Sequence, residues 1–149
     1  MPEVTVHSLP GHTYAVEAAN GRHVITADEK VADGGDDLGP TPHELLLSSL
    51  GACVAITMRM YANYKQWPLD DIAVHVSIEN VVPSPPAFTP EEIAAAGSDK
   101  LPLIHSNVTV KGNLTAEQLA RLQEVAGRCP VHRVLRARPA IVTTLTHDA

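Results

Sequence analysis

One long apolar segment, from Leu45 to about Lys65, constrains the fold more than any other part of the sequence. Its start is marked by Thr41, Pro42 and Glu44, which form a Thr-x-x-Glu capping box with a proline in the first helical turn. Apolar residues then recur on almost every side of the predicted helix, whereas a helix at a protein surface carries one polar face. The sequence therefore predicts a central, buried helix that other elements cover on most sides.

Strands and one further helix are predicted around this central helix. Two short apolar runs flank Asn20-Gly21, a dipeptide that accepts the positive φ angles of a tight hairpin. A second capping box at Thr115 opens another helix, which Cys129-Pro130 ends because proline cannot continue the hydrogen-bond ladder. The expected strands cover residues 4–6, 14–18, 23–27, 72–78, 106–111 and 140–145. This order of elements predicts one α+β domain over residues 1–149.

The net charge excludes some classes of partner. The 149 residues include 17 acidic and 11 basic side chains, a formal charge of −6. Such a balance argues against nucleic acid, whose phosphates are held by Lys and Arg. No run approaches the roughly 18 uninterrupted apolar residues of a membrane span, and no secretory signal is visible. We therefore expect a soluble cytoplasmic protein with neither a nucleic-acid nor a membrane partner.

A proline-rich segment between Pro83 and Pro102 is long for a loop in a compact domain. Within it, residues 90–96 predict one or two turns of helix. Loops of this length are often functional or mobile, and the sequence alone does not give this one a role.

The two cysteines, Cys53 and Cys129, are too few for a disulfide scaffold and are expected as thiols in a reducing compartment. A thiol becomes reactive when a cation or a helix N-terminus stabilises its thiolate. Cys129 is followed by His132 and Arg133, whereas the nearest cation to Cys53 is Arg59, nearly two turns away. From the residues alone, small core side chains are the ordinary interpretation and a catalytic pair is the alternative.

Metal sites find little support in the spacing of possible ligands. Cys129 and His132 are half of a zinc site, but no second pair stands at ligand spacing. His43-Glu44 resembles the start of a zinc-protease helix, yet Leu47 occupies the place of the required second histidine. We expect neither a metal nor a cofactor, and a zinc-stabilised structure stays as an alternative that elemental analysis would detect.

The strings from Gly39 to Cys53 and from Cys129 to Arg133 resemble the OsmC/Ohr family, the osmotically inducible protein C and organic hydroperoxide resistance proteins. The Lys65-x-Trp67-Pro68-Leu69 string is similar to the OsmC-like subgroup. The resemblance covers most of the chain from about residue 20 onward. It implies an α+β fold with antiparallel sheets and two main helices, the central one buried. It also implies an intertwined homodimer whose sites lie at the subunit interface.

The same resemblance implies a thiol-dependent peroxidase for organic hydroperoxides that needs no cofactor. The cysteine matched by Cys53 would attack the peroxide O–O bond and become a sulfenic acid. Cys129 would then condense with it to a disulfide before further oxidation. A dithiol, either a small molecule or a lipoyl-protein, would reduce that disulfide.

The sequence departs from the family at the residues that activate the thiol. Family peroxidases carry a carboxylate ten residues before the reactive cysteine, paired with an N-terminal arginine. Here His43 occupies that position, Glu44 follows it, and Arg22 is the candidate arginine. Ten helical residues span about 15 Å, so His43 or Glu44 would have to reach Cys53 from a partner subunit. There are two alternatives. In one, Glu44 serves only in the capping box. In the other, the protein is a non-enzymatic redox-sensing or ligand-binding protein that has lost this carboxylate–arginine pair.

Overall fold

The computed structural model describes residues 1–148, which form a mixed α+β chain as predicted. The helices are α1 (Pro42–Lys65), α2 (Pro90–Ala96), α3 (Ala116–Ala126) and α4 (Pro130–Ala137). The strands are β1 (Thr5–Ser8), β2 (Val16–Ala19), β3 (Val24–Ala27), β4 (Asp71–Val81) and β5 (Leu101–Lys111). Within the described chain the strands form two antiparallel sheets, and α1 and α3 are the two main helices that the sequence predicts. The short α2 confirms the helical turns predicted for residues 90–96.

The chain divides into two compact units, residues 1–48 and the residues from 49 onward, with the boundary inside α1. The first unit holds the sheet of order β1-β2-β3. Ala19 pairs with Val24 across the β2–β3 turn, where Gly21 has a φ of +84°. The predicted hairpin is therefore confirmed, while the single domain over residues 1–149 stays a prediction.

A buried carboxylate fixes the loop that follows β3. Asp28 accepts hydrogen bonds from the backbone N–H groups of Glu29, Asp36 and Leu38 at 2.7, 3.1 and 3.2 Å. Burial alone would raise the pKa of Asp28, but these hydrogen bonds together lower it below its usual range. The ionised side chain thus holds together a loop that contains a single turn of 3-10 helix, Val31–Asp33.

The second unit is built on the long β4–β5 pair and a helical layer. The two strands pair antiparallel over eleven residues each, from Asp71 opposite Lys111 to Val81 opposite Leu101. At Gly51 of α1, a Cβ atom would lie only 3.2 Å from Val76 of β4, so glycine permits the close packing of the helix on the sheet. The buried core contains Leu50, Val54, Met58 and Ala62 of α1, Leu122 and Val125 of α3, Leu69 of the loop between α1 and β4, and Cys129.

Within the described single chain, other elements bury only one face of α1. Its buried residues recur every four positions, as expected for one helical stripe. On the opposite face Ile56, Met60 and Tyr64 are 59%, 67% and 81% exposed. By length and composition α1 is the one helix in residues 1–148 that would pass for a membrane span, a test that core helices of soluble proteins also pass.

The predicted strand at residues 140–145 is wrong for this chain. No regular structure follows α4 as far as residue 148, and Ile141, Val142 and Leu145 are 86%, 89% and 95% exposed. An apolar alternating run predicts a strand but cannot supply the neighbour with which it must pair. Within the described chain that neighbour is missing.

The helical region near Cys129 also differs from the prediction. The predicted second helix, α3, ends at Ala126 as a helix should before Cys129-Pro130. Pro130 then opens the further helix α4, because proline fits the first helical position, where no N–H is needed. In the same way β5 begins at Leu101 rather than near residue 106, since Pro102 is tolerated on the edge of a two-stranded sheet.

Candidate functional site

The N-terminus of α4 meets both cysteines of the chain. Cys129 is the N-cap residue, and its Sγ accepts a hydrogen bond from the His132 N–H at 3.3 Å. The preceding N–H group, that of Val131, donates to Sγ of Cys53 at 3.5 Å. The first N–H groups of a helix have no intrahelical acceptor and carry its positive dipole end. Successive amides of one helical turn therefore point at two sulfurs.

The structure thus brings together Cys53 and Cys129, which are 129 − 53 = 76 residues apart in sequence. Cys53 comes from the middle of α1, where it is partly exposed and packs against the core. Cys129 is fully buried, with 0% of its surface exposed. Neither sulfur is in a disulfide in this structure.

Burial makes the two thiols unequal. It raises the pKa of Cys129 above the ordinary value of 9.0, and the neighbouring Cys53 side chain raises it further. The N–H groups of His132 and Val131 act in the opposite direction without reversing the shift. Cys129 is therefore a protonated thiol at neutral pH, and Cys53 is the sulfur that a molecule from solution can reach.

A cavity of about 500 Å³ lies between α1, β5 and α3. Leu50, Val54 and Met58 form its α1 wall, and His132 from the first turn of α4 also lines it. The remaining wall, from β5 and α3, contains both apolar and polar side chains. At the start of α4, the backbone N–H groups therefore point at the sulfurs, and the His132 side chain lines the cavity.

The other three predicted site residues, Arg22, His43 and Glu44, belong to the first unit, whereas both cysteines belong to the second. Arg22 is exposed in the β2–β3 turn, and its N–H donates to the Asn20 side chain at 3.0 Å. His43 is exposed in the first turn of α1.

Glu44 has a helix-capping role in this chain. Its carboxylate accepts a hydrogen bond from the Thr41 N–H at 2.8 Å, and the Thr41 hydroxyl accepts one from the Glu44 N–H at 3.3 Å. The hydrogen bond from the Thr41 N–H lowers the pKa of Glu44, and Lys30, with Nζ at 3.9 Å, acts in the same direction. The capping box predicted at the start of α1 is confirmed.

The cation nearest to Cys53 in sequence is also engaged elsewhere. The Arg59 guanidinium donates to the backbone carbonyls of Leu69 and Asp70, the latter at 3.1 Å. It therefore holds the loop between α1 and β4. Within residues 1–148 no group of three or more His, Cys, Asp and Glu side chains is arranged to hold a metal ion.

Sequence reasoning missed the backbone of α4 as part of the site. The N–H groups of Val131 and His132 belong to a helix that the sequence prediction omitted. The available signal was Cys129-Pro130 itself, because proline is common at the first position of a helix. Because proline also ends a preceding helix, the sequence analysis predicts only the end of α3 there.

Comparisons with known proteins give one consistent fold. The sequence matches the family described as OsmC-like protein over residues 34–144. No curated protein matches it.

Solved structures share the architecture at low sequence identity. An OsmC-like protein from Mycoplasma pneumoniae is 19% identical with a TM-score of 0.67, over 90% of this chain and 86% of that chain. An organic hydroperoxide resistance protein OsmC from Legionella pneumophila is 18% identical with a TM-score of 0.61, over 91% of this chain and 90% of that chain. The organic hydroperoxide resistance protein OhrB of Bacillus subtilis is 15% identical with a TM-score of 0.60, over 90% of both chains. At these identities the likeness concerns the fold.

Proposed function

Because the chain belongs to the OsmC-like family, we propose that it is a thiol-dependent peroxidase that reduces organic hydroperoxides. The observation that carries the proposal is the pair of sulfurs at the start of α4, each accepting a hydrogen bond from one of two successive backbone amides. Amides at a helix N-terminus stabilise negative charge, and a thiolate is the nucleophilic form of cysteine.

The proposed reaction has three steps. The Cys53 thiolate attacks the terminal peroxide oxygen, the O–O bond breaks, and the alkoxide leaves and takes a proton from water. Cys53 is then a sulfenic acid, which condenses with the Cys129 thiol to give a disulfide and water. A dithiol reduces this disulfide and becomes oxidised in turn.

Burial supports this division of roles. A nucleophile must be reached by its substrate, and Cys53 is partly exposed. A resolving thiol needs only to reach the sulfenic acid, and Cys129 is fully buried beside Cys53. Cys129, whose pKa is raised, gives up its proton as its sulfur attacks the sulfenic acid, and that proton leaves with the hydroxyl group as water.

The substrate class follows from the surroundings of the sulfurs. Apolar residues of α1 flank Cys53, and Leu50, Val54 and Met58 give the cavity that His132 also lines an apolar wall on its α1 side. Such walls favour the organic part of an alkyl hydroperoxide over hydrogen peroxide. Two solved structures of the same fold are those of organic hydroperoxide resistance proteins.

We also propose that the active form is a cytoplasmic homodimer with its site at the subunit interface. The exposed apolar face of α1, with Ile56, Met60 and Tyr64, is a surface that a second copy of the chain would cover. In that dimer Arg22, with Glu44 or His43, would complete the activation of Cys53. The reductant would be a dithiol, either small or carried on a lipoyl-protein.

The test is steady-state turnover of cumene hydroperoxide with a small dithiol as reductant. The wild-type protein should turn over, and Cys53→Ser should lose activity by several orders of magnitude because the nucleophile is gone. Arg22→Ala, beside Lys100→Ala as a control at an exposed position, reports whether Arg22 takes part. Turnover that is unaffected by Cys53→Ser would falsify the proposal.

A second candidate function is a non-enzymatic redox sensor or ligand-binding protein. Its support is the histidine in the place of the family carboxylate, together with the engagement of Glu44 in the α1 capping box. This candidate predicts that the Cys53–Cys129 disulfide forms slowly and that no turnover follows. The rate of disulfide formation with one equivalent of peroxide separates the two functions.

A further inference from the structure

A single carboxylate joins the proline-rich segment to the helix that carries the candidate site. Glu92 is the third residue of α2, and its side chain is only 13% exposed. One oxygen accepts a hydrogen bond from the Thr89 N–H at 2.8 Å and so caps α2. The other accepts one from Arg138 at 2.9 Å and forms an ion pair with Arg136 at 3.5 Å. Both arginines belong to the C-terminal end of α4.

The helix so anchored has few other attachments. It has eight residues, and none of them is fully buried. Isolated helices this short are marginal in water, so tertiary contacts must hold α4 in place. Its apolar contacts to the core are made by Val131 in its first turn and Leu135 in its last turn. At the C-terminal end, Leu135 makes the apolar contact to the core, and Glu92 adds two charged contacts there, to Arg136 and Arg138.

The anchored end also adopts an uncommon backbone conformation. Arg138, the C-cap residue, has a φ of +50°, in the left-handed region that residues other than glycine adopt rarely. Surrounding contacts must hold such a residue in place. The ion pair with Glu92 is such a contact, which indicates that the position of the α4 end is specified.

We infer that Glu92 is a positioning residue for the two cysteines, and that the proline-rich segment serves to present it to α4. By fixing the C-terminal end of α4, Glu92 keeps the N–H groups of Val131 and His132 directed at the sulfurs. The inference rests on the proposed function, in that Cys53 is taken as the reactive thiol.

The chain offers a matched pair of variants for the test. Glu92→Gln removes the charge that holds the arginines but keeps an oxygen for the capping box, as Gln118 does at the start of α3. Glu91→Gln removes the same charge from the neighbouring, exposed position of α2. Circular dichroism and urea denaturation check that both variants are folded.

The readout is the rate of Cys53 alkylation by iodoacetamide as a function of pH, with the modified cysteine identified by mass spectrometry. For Glu92→Gln the midpoint should move to higher pH. The rate at pH 7 should fall about two- to fivefold, which is the range expected when the Cys53 thiolate loses its interaction with the N-terminus of a helix. Glu91→Gln should match the wild type.

Equal midpoints for the wild type and both variants would overturn the inference. If Glu92→Gln does not fold, Arg138→Asn tests the same contact from α4, because asparagine tolerates the left-handed conformation. It should shift the midpoint in the same direction by a smaller amount, since Arg136 remains, and no shift would again overturn the inference. Alkylation needs no peroxide, so this result is independent of whether the wild type turns over hydroperoxide.

Discussion

Two helices of the second unit, α3 and α4, begin in different ways. At the start of α3, the Thr115 hydroxyl accepts a hydrogen bond from the Gln118 N–H at 3.1 Å, and the Gln118 side chain accepts one from the Thr115 N–H at 2.9 Å. At the start of α4 the acceptors are two sulfurs, Cys129 from the N-cap position and Cys53 from α1. Thus α3 satisfies its own first turn, whereas α4 directs its first turn at two thiols.

The difference shows how one structural element can serve stability or chemistry. A hydroxyl is a good hydrogen-bond acceptor and is stable as it stands, so an oxygen cap does little beyond starting the helix. A neutral sulfur is a weak acceptor but becomes a strong one as a thiolate. The amides of α4 therefore interact most strongly with the charged, reactive form of a cysteine. We attribute function to α4 and stability to α3 on this ground.

The largest expected effect comes from giving α4 an oxygen cap like that of α3. Cys129→Ser keeps a good N-cap residue, so stability should change by no more than about 1 kcal/mol. Without a resolving thiol, however, Cys53 should react once and then remain a sulfenic acid or oxidise irreversibly. Peroxide consumption should therefore stop after a few equivalents at most, which a peroxide assay measures. Sustained turnover by this variant would show that Cys129 does not resolve the sulfenic acid.

A smaller effect is expected from removing one amide of α4. Val131→Pro deletes the N–H that donates to Cys53, while Val131→Ala deletes the side chain and keeps the N–H. Proline is tolerated in the first turn of a helix, where its missing N–H has no intrahelical partner. The pH midpoint of Cys53 alkylation should be higher for the proline variant than for the alanine variant. Equal midpoints would mean that this amide does not stabilise the thiolate.

The matching change at α3 should affect stability alone. Thr115→Ala removes the hydroxyl of the α3 capping box and should lower the free energy of unfolding by about 1 kcal/mol, measured by urea denaturation. The alkylation profile of Cys53 should be the same as in the wild type. A shift in that profile would contradict the division of roles between the two helices.

The smallest effect is a pH dependence of stability that only the sulfur cap produces. Because the folded chain raises the pKa of Cys129, it holds a proton that the unfolded chain releases above about pH 9. This contribution to stability is complete below pH 9.0 and is lost as the pH rises through the pKa that Cys129 has in the folded chain. Between pH 9 and 10 the unfolding free energy should therefore fall more steeply for the wild type than for Cys129→Ser. Parallel curves would contradict the assigned burial of Cys129.

The α3 start and the α1 start could be predicted from sequence because their capping residues lie within three positions of each other. Local signals of this kind also predicted the hairpin at Asn20-Gly21. The α4 start lacks a capping oxygen, and proline there has two meanings, the end of one helix or the start of the next. From sequence alone the first meaning is favoured, because α3 needs an end there and nothing local marks a new helix.

The cysteine pair depended on information that is not local. Neither the spacing of Cys53 and Cys129 nor their neighbours placed the sulfurs together, and only the family resemblance paired them. The structure then supplied the contact through α4. Residues 140–145 illustrate the opposite case, since their pattern predicts a strand whose partner strand the described chain does not provide.

The most direct measurement of the central claim is the number of free thiols after reduced protein meets one equivalent of cumene hydroperoxide. We predict that both thiols disappear together and rapidly, that the protein loses the mass of two hydrogen atoms, and that a peptide linking Cys53 to Cys129 is recovered. Cys53→Ser should retain its remaining thiol under the same conditions. Two unchanged thiols in the wild type, or oxidation of Cys129 in the absence of Cys53, would contradict a mechanism in which Cys53 attacks and Cys129 resolves.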